Sequence, residues 1–343
     1  MFDVEASTIE IKYISVVITC HQRKEFLIEA IDSVLNQSIS KTKYEILLVI
    51  DFVDKEIEDY CRKSGVIIIY DPRIGIGVKM AIGIEKAKGE IICFLNDDDK
   101  FLPRKLELIL KYFKSYPEIA YLHNNYLSID KFSHSLNRIR ISDLDRVQLI
   151  DNSAPKNWIV QGFKNNLMFN DSCICIRRDS FLQHIELLTN IYGNQDNILF
   201  YLGLNSGRKL MFIPEKLTLF RVHETNTSNE KNLTNYSKLL NRRILSLINT
   251  LTYLEDKKPV CKILDFLYSD AKSQIMQYEI LNRKDKKHLN YNLVNSSIQC
   301  KKLRLVYTRN RLLIQLLYIF SLHFPGITKK LLWNRIEKSS NKF

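Results

Sequence analysis

The chain has no CxxC pair among its seven cysteines. Cys20, Cys61, Cys93, Cys173, Cys175, Cys261 and Cys300 are scattered and odd in number, and several lie inside apolar runs. This pattern argues against a zinc ribbon or a disulfide framework and for reduced, buried thiols. Glycine-rich phosphate loops are missing as well. The one GxG, Gly75-Ile76-Gly77, has Met80 where a dinucleotide fingerprint needs its third glycine, and there is no GxxxxGK[ST] segment. These glycines read as turns into a helix. No apolar run reaches the ~20 residues of a membrane-spanning helix. The opening residues, 1–13, are acidic and lack the basic-then-apolar order of a signal peptide, so the expected location is cytoplasmic.

What is present is a divided charge. Residues 1–234 hold 30 Lys and Arg against 31 Asp and Glu; residues 235–343 hold 21 against 7. A neutral body with a basic tail sets an expected boundary at 234/235. The tail reads as helical. Its most apolar stretch, Arg311–Phe324, has Lys301, Lys302, Arg304 and Arg309 before it and Lys329, Lys330 and Arg335 after it. Two readings stay open: a helix lying on an anionic membrane face, and a core helix of a small bundle. With no RNA-binding motif, nucleic acid is not an expected partner.

The body alternates strand and helix patterns. SVVIT (15–19), YEILLVI (44–50), VIIIY (66–70) and IICFL (91–95) are short apolar strands. Helical spacing falls between them at 26–35, 57–63 and within 75–88, which predicts a parallel sheet of α/β class. Beyond it the pattern predicts a helix over 103–113 and a strand over 119–129. An irregular stretch, 131–157, follows, then a half-exposed strand over 171–177 and a short helix over 181–188. An amphipathic helix over 197–204 and two short strands, 210–213 and 217–223, complete the body.

The fourth strand ends in Asn96, Asp97, Asp98 and Asp99. Three carboxylates at the C-terminal edge of a buried strand repel one another unless a cation or solvent offsets them. Ligands of open α/β sheets bind at that edge, and hard divalent cations prefer oxygen ligands. The other reading is an acidic N-cap for the helix after Pro103.

Five ordered segments resemble the family 2 inverting glycosyltransferases of GT-A fold. They are SVVITCHQRKEFLIEAIDSVLNQ (15–37), YEILLVID (44–51), AKGEIICFLNDDDKFLPRKLE (87–107), YGNQDNILFYLGL (192–204) and FRVHETNTS (220–228). The resemblance implies a GT-A fold with a mixed, mainly parallel central sheet, and transfer of a sugar from a UDP- or GDP-sugar to a glycan or lipid-linked acceptor. It implies that Asp51 binds base or ribose and that His21 stands where an aromatic ring stacks on the base. Asn96 and Asp97 would face the donor, and Asp98, with Asp99 and His223, would hold Mg²⁺ or Mn²⁺. Lys79 and Arg221 would meet the diphosphate. Asp196 would be the general base. His21 and His223 also read as ordinary loop or core histidines, and Asp196 also as a helix N-cap.

Three departures from the family pattern stand out: Asn96 for an aspartate, Gln195 for an acid, and Met80-Ala81 near Gly83. Losing an acid beside Asp196 predicts a lower pKa for it. The departures keep a non-catalytic, donor-binding protein open as an alternative. A sugar-phosphate nucleotidyltransferase is the weaker one, because the loop after the first strand has no glycine.

Overall fold

The computed structural model describes residues 13–136, 144–155, 158–159, 162, 167–224, 226, 233–257, 261–282, 317 and 324–340. The chain divides into two compact units. The first comprises residues 1–155, 161–190 and 195–221; the second comprises 156–160, 191–194 and 222–343.

The first unit begins with β1 (Ile14–Thr19), α1 (Leu27–Leu35), β2 (Tyr44–Ile50), α2 (Lys55–Ser64), β3 (Ile67–Tyr70), α3 (Ile76–Lys86) and β4 (Ile91–Asn96). The apolar runs of β1, β2 and β4 become strands buried almost throughout, which is the place for continuous rather than alternating hydrophobic sequence, whereas β3, at the end of the sheet, leaves Ile67 and Tyr70 exposed. Helix α1 buries Leu27, Ala30, Ile31 and Val34, one stripe at helical spacing. Helix α2 is fixed at both ends: the Asp54 carboxylate accepts from the N–H groups of Glu56 and Ile57, and Gly65 closes it with φ 73°. Helix α3 lies so close to β1 that a Cβ on Gly83 would sit 2.3 Å from Val17 Cγ1.

The unit continues with β5 (Lys100–Phe101), α4 (Lys105–Ser115), β6 (Ile119–Ile129), β7 (Gln148–Ile150), β8 (Ile174–Arg177), α5 (Arg178–Leu182), α6 (Ile185–Leu188), α7 (Gln195–Asn205) and β9 (Lys209–Arg221). Among the described residues, the nine strands form one mixed sheet, in the order β3-β2-β1-β4-β8-β6-β9-β5, with β7 on β9. Strands β1 to β4 pair in parallel, so their C-terminal ends share one edge. Strand β8 runs antiparallel between β4 and β6.

Several local expectations change. The stretch expected to be irregular contributes β7. The segment 171–177 is a 3-10 turn followed by a strand whose residues are all buried, because both β4 and β6 flank it. Helix α7 is buried from Ile198 to Leu204, so it is not amphipathic. The two short strands near the end of the unit are one, β9, whose pairing with β6 shifts register between Ile213 and Lys216. Pro214 lies in that shift, where a residue without an N–H costs the ladder nothing.

His123 on β6 is enclosed, and its Nε2–H donates to the Phe169 carbonyl at 2.9 Å. Burial pushes its pKa down to about 3, with the Lys105 charge adding to the shift. The unfolded chain therefore binds the extra proton. The stability from a neutral His123 is fully present above pH ~6.5 and is lost as pH falls toward 3. His123→Gln is expected to flatten the acid limb. Between pH 6.5 and 4.5, urea midpoints should show wild type losing about 2–3 kcal/mol more than the variant.

The second unit contains three described helices, α8 (Leu233–Asp256), α9 (Cys261–Asn282) and α10 (Pro325–Ser340). They meet at Leu240, Ile280, Leu281 and Leu332. The apolar stretch 311–324 lies outside the described residues except for Leu317 and Phe324. Among the described residues no helix is long and apolar enough to cross a membrane.

Candidate active site

Parallel register makes the site. Thr19 on β1 is level with Val49 on β2 and Asn96 on β4. The residues that follow each strand therefore emerge side by side: Cys20–Arg23, Asp51, and Asp97–Asp99.

Asp51 gathers three donors. Its Oδ2 pairs with His21 Nδ1 and lies 3.1 Å from Lys79 Nζ; its Oδ1 accepts the Gln22 N–H at 3.1 Å. Burial pushes its pKa up, but the His21 hydrogen bond and the Lys79 ammonium outweigh that and hold it below the usual carboxylate range. Lys79 is 1% exposed, so its charge serves Asp51 from inside α3 and is not presented to a diphosphate, a correction to the sequence expectation. His21 remains half exposed. Gln22 sits at φ 51°, a left-handed conformation that costs a non-glycine residue about 1–2 kcal/mol. The bond to Asp51 offsets part of that cost.

Asp97 and Asp98 share Arg23. Its Nη2 bonds Asp97 Oδ1 and lies 2.7 Å from Asp98 Oδ2. Both acids are almost enclosed. Burial raises the Asp97 pKa, Asp98's charge adds to it, and the Arg23 charge partly offsets both. In the sequence Arg23 belongs to an ordinary polar loop. Its role depends on β1 being the neighbour of β4, which the local pattern does not state.

Asp99 is not the helix cap that the sequence offered as one reading, and both of its oxygens already accept hydrogen bonds. The N-cap residue of α4 is Arg104. Asp99 is 1% exposed, and its two oxygens accept from the Arg221 N–H and the Asn170 amide, each at 2.9 Å. Burial, reinforced by Asp98's charge, pushes its pKa up to about 7.

Arg221 is also placed differently from expectation. Its side chain is fully buried. Nε donates to the Asp98 carbonyl at 2.8 Å, Nη2 to Glu29 at 2.9 Å, and Nη1 to the Lys131 carbonyl at 3.0 Å and Ser133 at 3.1 Å, with the guanidinium 4.3 Å from the Phe26 ring centre. It braces the acidic turn from below and cannot reach a diphosphate. His223 belongs to the second unit, where its N–H donates to Asn226 Oδ1 at 2.6 Å.

Asn170 connects the acidic turn to Asp196. It has φ 79°, receives Asn96 Nδ2 at 3.3 Å, and donates its own N–H to Asp196 Oδ2 at 3.4 Å. Asp196 stands in the first turn of α7, one residue inside the helix, where a negative charge is favoured by the helix dipole. Beside it lies Asp171, another residue the sequence reading missed. Asp171 Oδ2 accepts from Gln195 Nε2 at 2.5 Å, and Oδ1 is buried with no hydrogen-bond partner among the described residues. Burial, then the Asp196 charge, hold the Asp171 pKa well above the usual range. An acid is thus present beside position 195 in space, although not in sequence.

The donor chemistry fits a hard cation only in one manner. No cluster of three or more His, Cys, Asp or Glu side chains able to hold an ion occurs among the described residues. Asp98 and Asp97 offer carboxylate oxygens alone, which suits an ion such as Mg²⁺ that uses one or two carboxylates and takes its remaining ligands from phosphate and water.

Known proteins share the family and the fold. The model of the glycosyl transferase family 2 matches residues 15–185. An uncharacterized glycosyltransferase of Rickettsia bellii is 25% identical over 276 residues, which cover 79% of this chain and 36% of that protein. One of Rickettsia felis is 26% identical over 326 residues, covering 92% and 49%. The chain thus spans between about a third and a half of the length of these relatives. The crystal structure of S. aureus TarS 1-349 in complex with UDP-GlcNAc aligns with TM-score 0.58 at 12% identity, covering 96% of this chain and 92% of that one. The complex with UDP aligns with TM-score 0.55, also at 12% identity, covering 96% and 91%. Through residues 15–185 the chain belongs to glycosyl transferase family 2, and its first unit has the GT-A fold.

Proposed function

We propose that the chain is a metal-dependent inverting glycosyltransferase that moves a sugar from a UDP- or GDP-sugar to a hydroxyl of a glycan or lipid-linked acceptor. One observation carries this reading: Asp51 and the Asp97–Asp98 pair converge at one sheet edge, and Asn170 ties that edge to Asp196. The UDP and UDP-GlcNAc complexes of the S. aureus neighbour support a nucleotide-sugar donor.

In this reading Asp51 accepts hydrogen bonds from base or ribose, with Lys79 keeping it ionised. Half-exposed His21 lies beside the base. Asp97 faces the ribose and Asp98 holds Mg²⁺ or Mn²⁺. A cation there supplies charge stabilisation for the departing diphosphate. Asp196 removes the acceptor proton as the hydroxyl oxygen attacks the anomeric carbon from the face opposite the leaving group, which inverts configuration. Asn96 and Asn170 orient the acidic turn. Asp171, whose pKa is pushed up by burial and by the Asp196 charge, lies beside Asp196. The basic region 235–343 fits an anionic membrane surface near a lipid-linked acceptor.

A thermal-shift series tests the donor site. UDP or GDP with Mn²⁺ should raise the melting temperature, with about 2.7 kcal/mol of stabilisation at a hundredfold excess over Kd. If no nucleoside diphosphate shifts the transition with or without Mn²⁺, the donor-site reading is wrong.

A further inference from the structure

Three consecutive residues after β1 touch two different acidic sites. His21 and Gln22 bond Asp51; Arg23 bonds Asp97 and Asp98. The segment is short and held at its ends. Cys20 Sγ donates to the Arg23 carbonyl at 2.8 Å, and the Cys20 N–H donates to the Val49 carbonyl at 3.1 Å. Gln22 lies in the left-handed region, and Asp51 holds its N–H.

The Arg23 guanidinium lies where a cation shared by Asp97 and Asp98 would have to approach. One planar positive group already bridges the two carboxylates. A divalent cation drawing on the oxygens that face Arg23 would meet the guanidinium's charge at close range, so each opposes the other there. Asp51, at the other end of the segment, is the acid that the donor's base or ribose would engage.

Resting on the metal-dependent reading above, we infer that Arg23 and the divalent cation compete for Asp97 and Asp98, and that the segment His21–Arg23 couples this exchange to nucleoside binding at Asp51. A base or ribose that hydrogen-bonds Asp51 displaces His21 and the Gln22 N–H. The segment then relaxes, Arg23 leaves the acids, and the cation enters. Released, Arg23 stands at the diphosphate side of the site with its charge available. The device orders binding, donor first and cation second, and keeps two adjacent carboxylates paired until the donor arrives. Arg23 is here a positioning residue.

The test is Mn²⁺ affinity, read by electron paramagnetic resonance of the free ion, on the full chain. Wild type, Arg23→Gln and Arg23→Lys are compared alone, with a nucleoside (uridine or guanosine), and with UDP or GDP. A nucleoside carries no phosphate, so any effect on Mn²⁺ must pass through the protein. Arg23→Gln should bind Mn²⁺ about tenfold tighter than wild type without nucleotide, with Arg23→Lys between them. The preferred nucleoside should tighten Mn²⁺ binding at least about fivefold in wild type, the lower end of ordinary coupling, and not at all in Arg23→Gln. Circular dichroism confirms that each variant is folded. Unchanged Mn²⁺ affinity in Arg23→Gln, or equal nucleoside coupling in wild type and variant, overturns the inference. If wild type binds no Mn²⁺ even with UDP or GDP, the metal-dependent reading itself fails, and gain of Mn²⁺ binding by Arg23→Gln alone would make Arg23 a permanent substitute for the ion.

Discussion

Asparagine in place of Asp196 is expected to lower the turnover number for sugar transfer by about 10²–10⁴-fold, the usual contribution of a positioned general base. The substitution is nearly isosteric. Its side-chain oxygen can still accept from the Asn170 N–H or the Asn197 N–H, as the Asp196 carboxylate does. The helix start is therefore retained, and donor binding at Asp51 and Asp98 is expected to change little. The loss should appear in kcat, with the donor KM within a fewfold of wild type. Residual activity above a tenth of wild type would remove Asp196 from the chemistry.

Alanine in place of Arg221 is expected to cost stability, by about 3 kcal/mol or more. The side chain is fully enclosed, and its loss orphans the carbonyls of Asp98 and Lys131 and strips a cation from the Phe26 face. Glu29 is partly exposed and recovers water, so it contributes less of the loss. Denaturant unfolding reads the effect directly. Were Arg221 a diphosphate contact, the variant would keep its unfolding midpoint and lose donor affinity instead. A stability change below ~1 kcal/mol would contradict the buried-brace assignment.

The framework was legible because it rests on local signals. Apolar runs of four to seven residues spelled out strands, and the helix between each pair set them parallel, although β3 proved a partly exposed edge strand. The acids after β2 and β4 were legible for the same reason, as charge at the end of a buried run. What was hidden needed the sheet order. Arg23 reads as an ordinary loop cation until β1 is known to lie between β2 and β4. Asp171 lies 24 residues before Gln195 and looks like the start of a half-exposed strand, yet β8 brings it against α7. Arg221 sits in a segment that resembles a donor-binding motif, but the shift in β9 turns it inward beneath Asp98 and Asp99. Lys79 was noticed for its charge. Its burial inside α3, under Asp51, was not written in the spacing.

The central claim is that the acidic edge of β1, β2 and β4 is the donor site of a glycosyltransferase. Release of nucleoside diphosphate from UDP- and GDP-sugars with Mn²⁺, compared between wild type and Asp98→Asn, tests it most directly. Wild type should release diphosphate measurably from one of the two donor classes, and the variant should lose at least about tenfold. Wild type that releases neither diphosphate, or an Asp98→Asn variant as active as wild type, would contradict it.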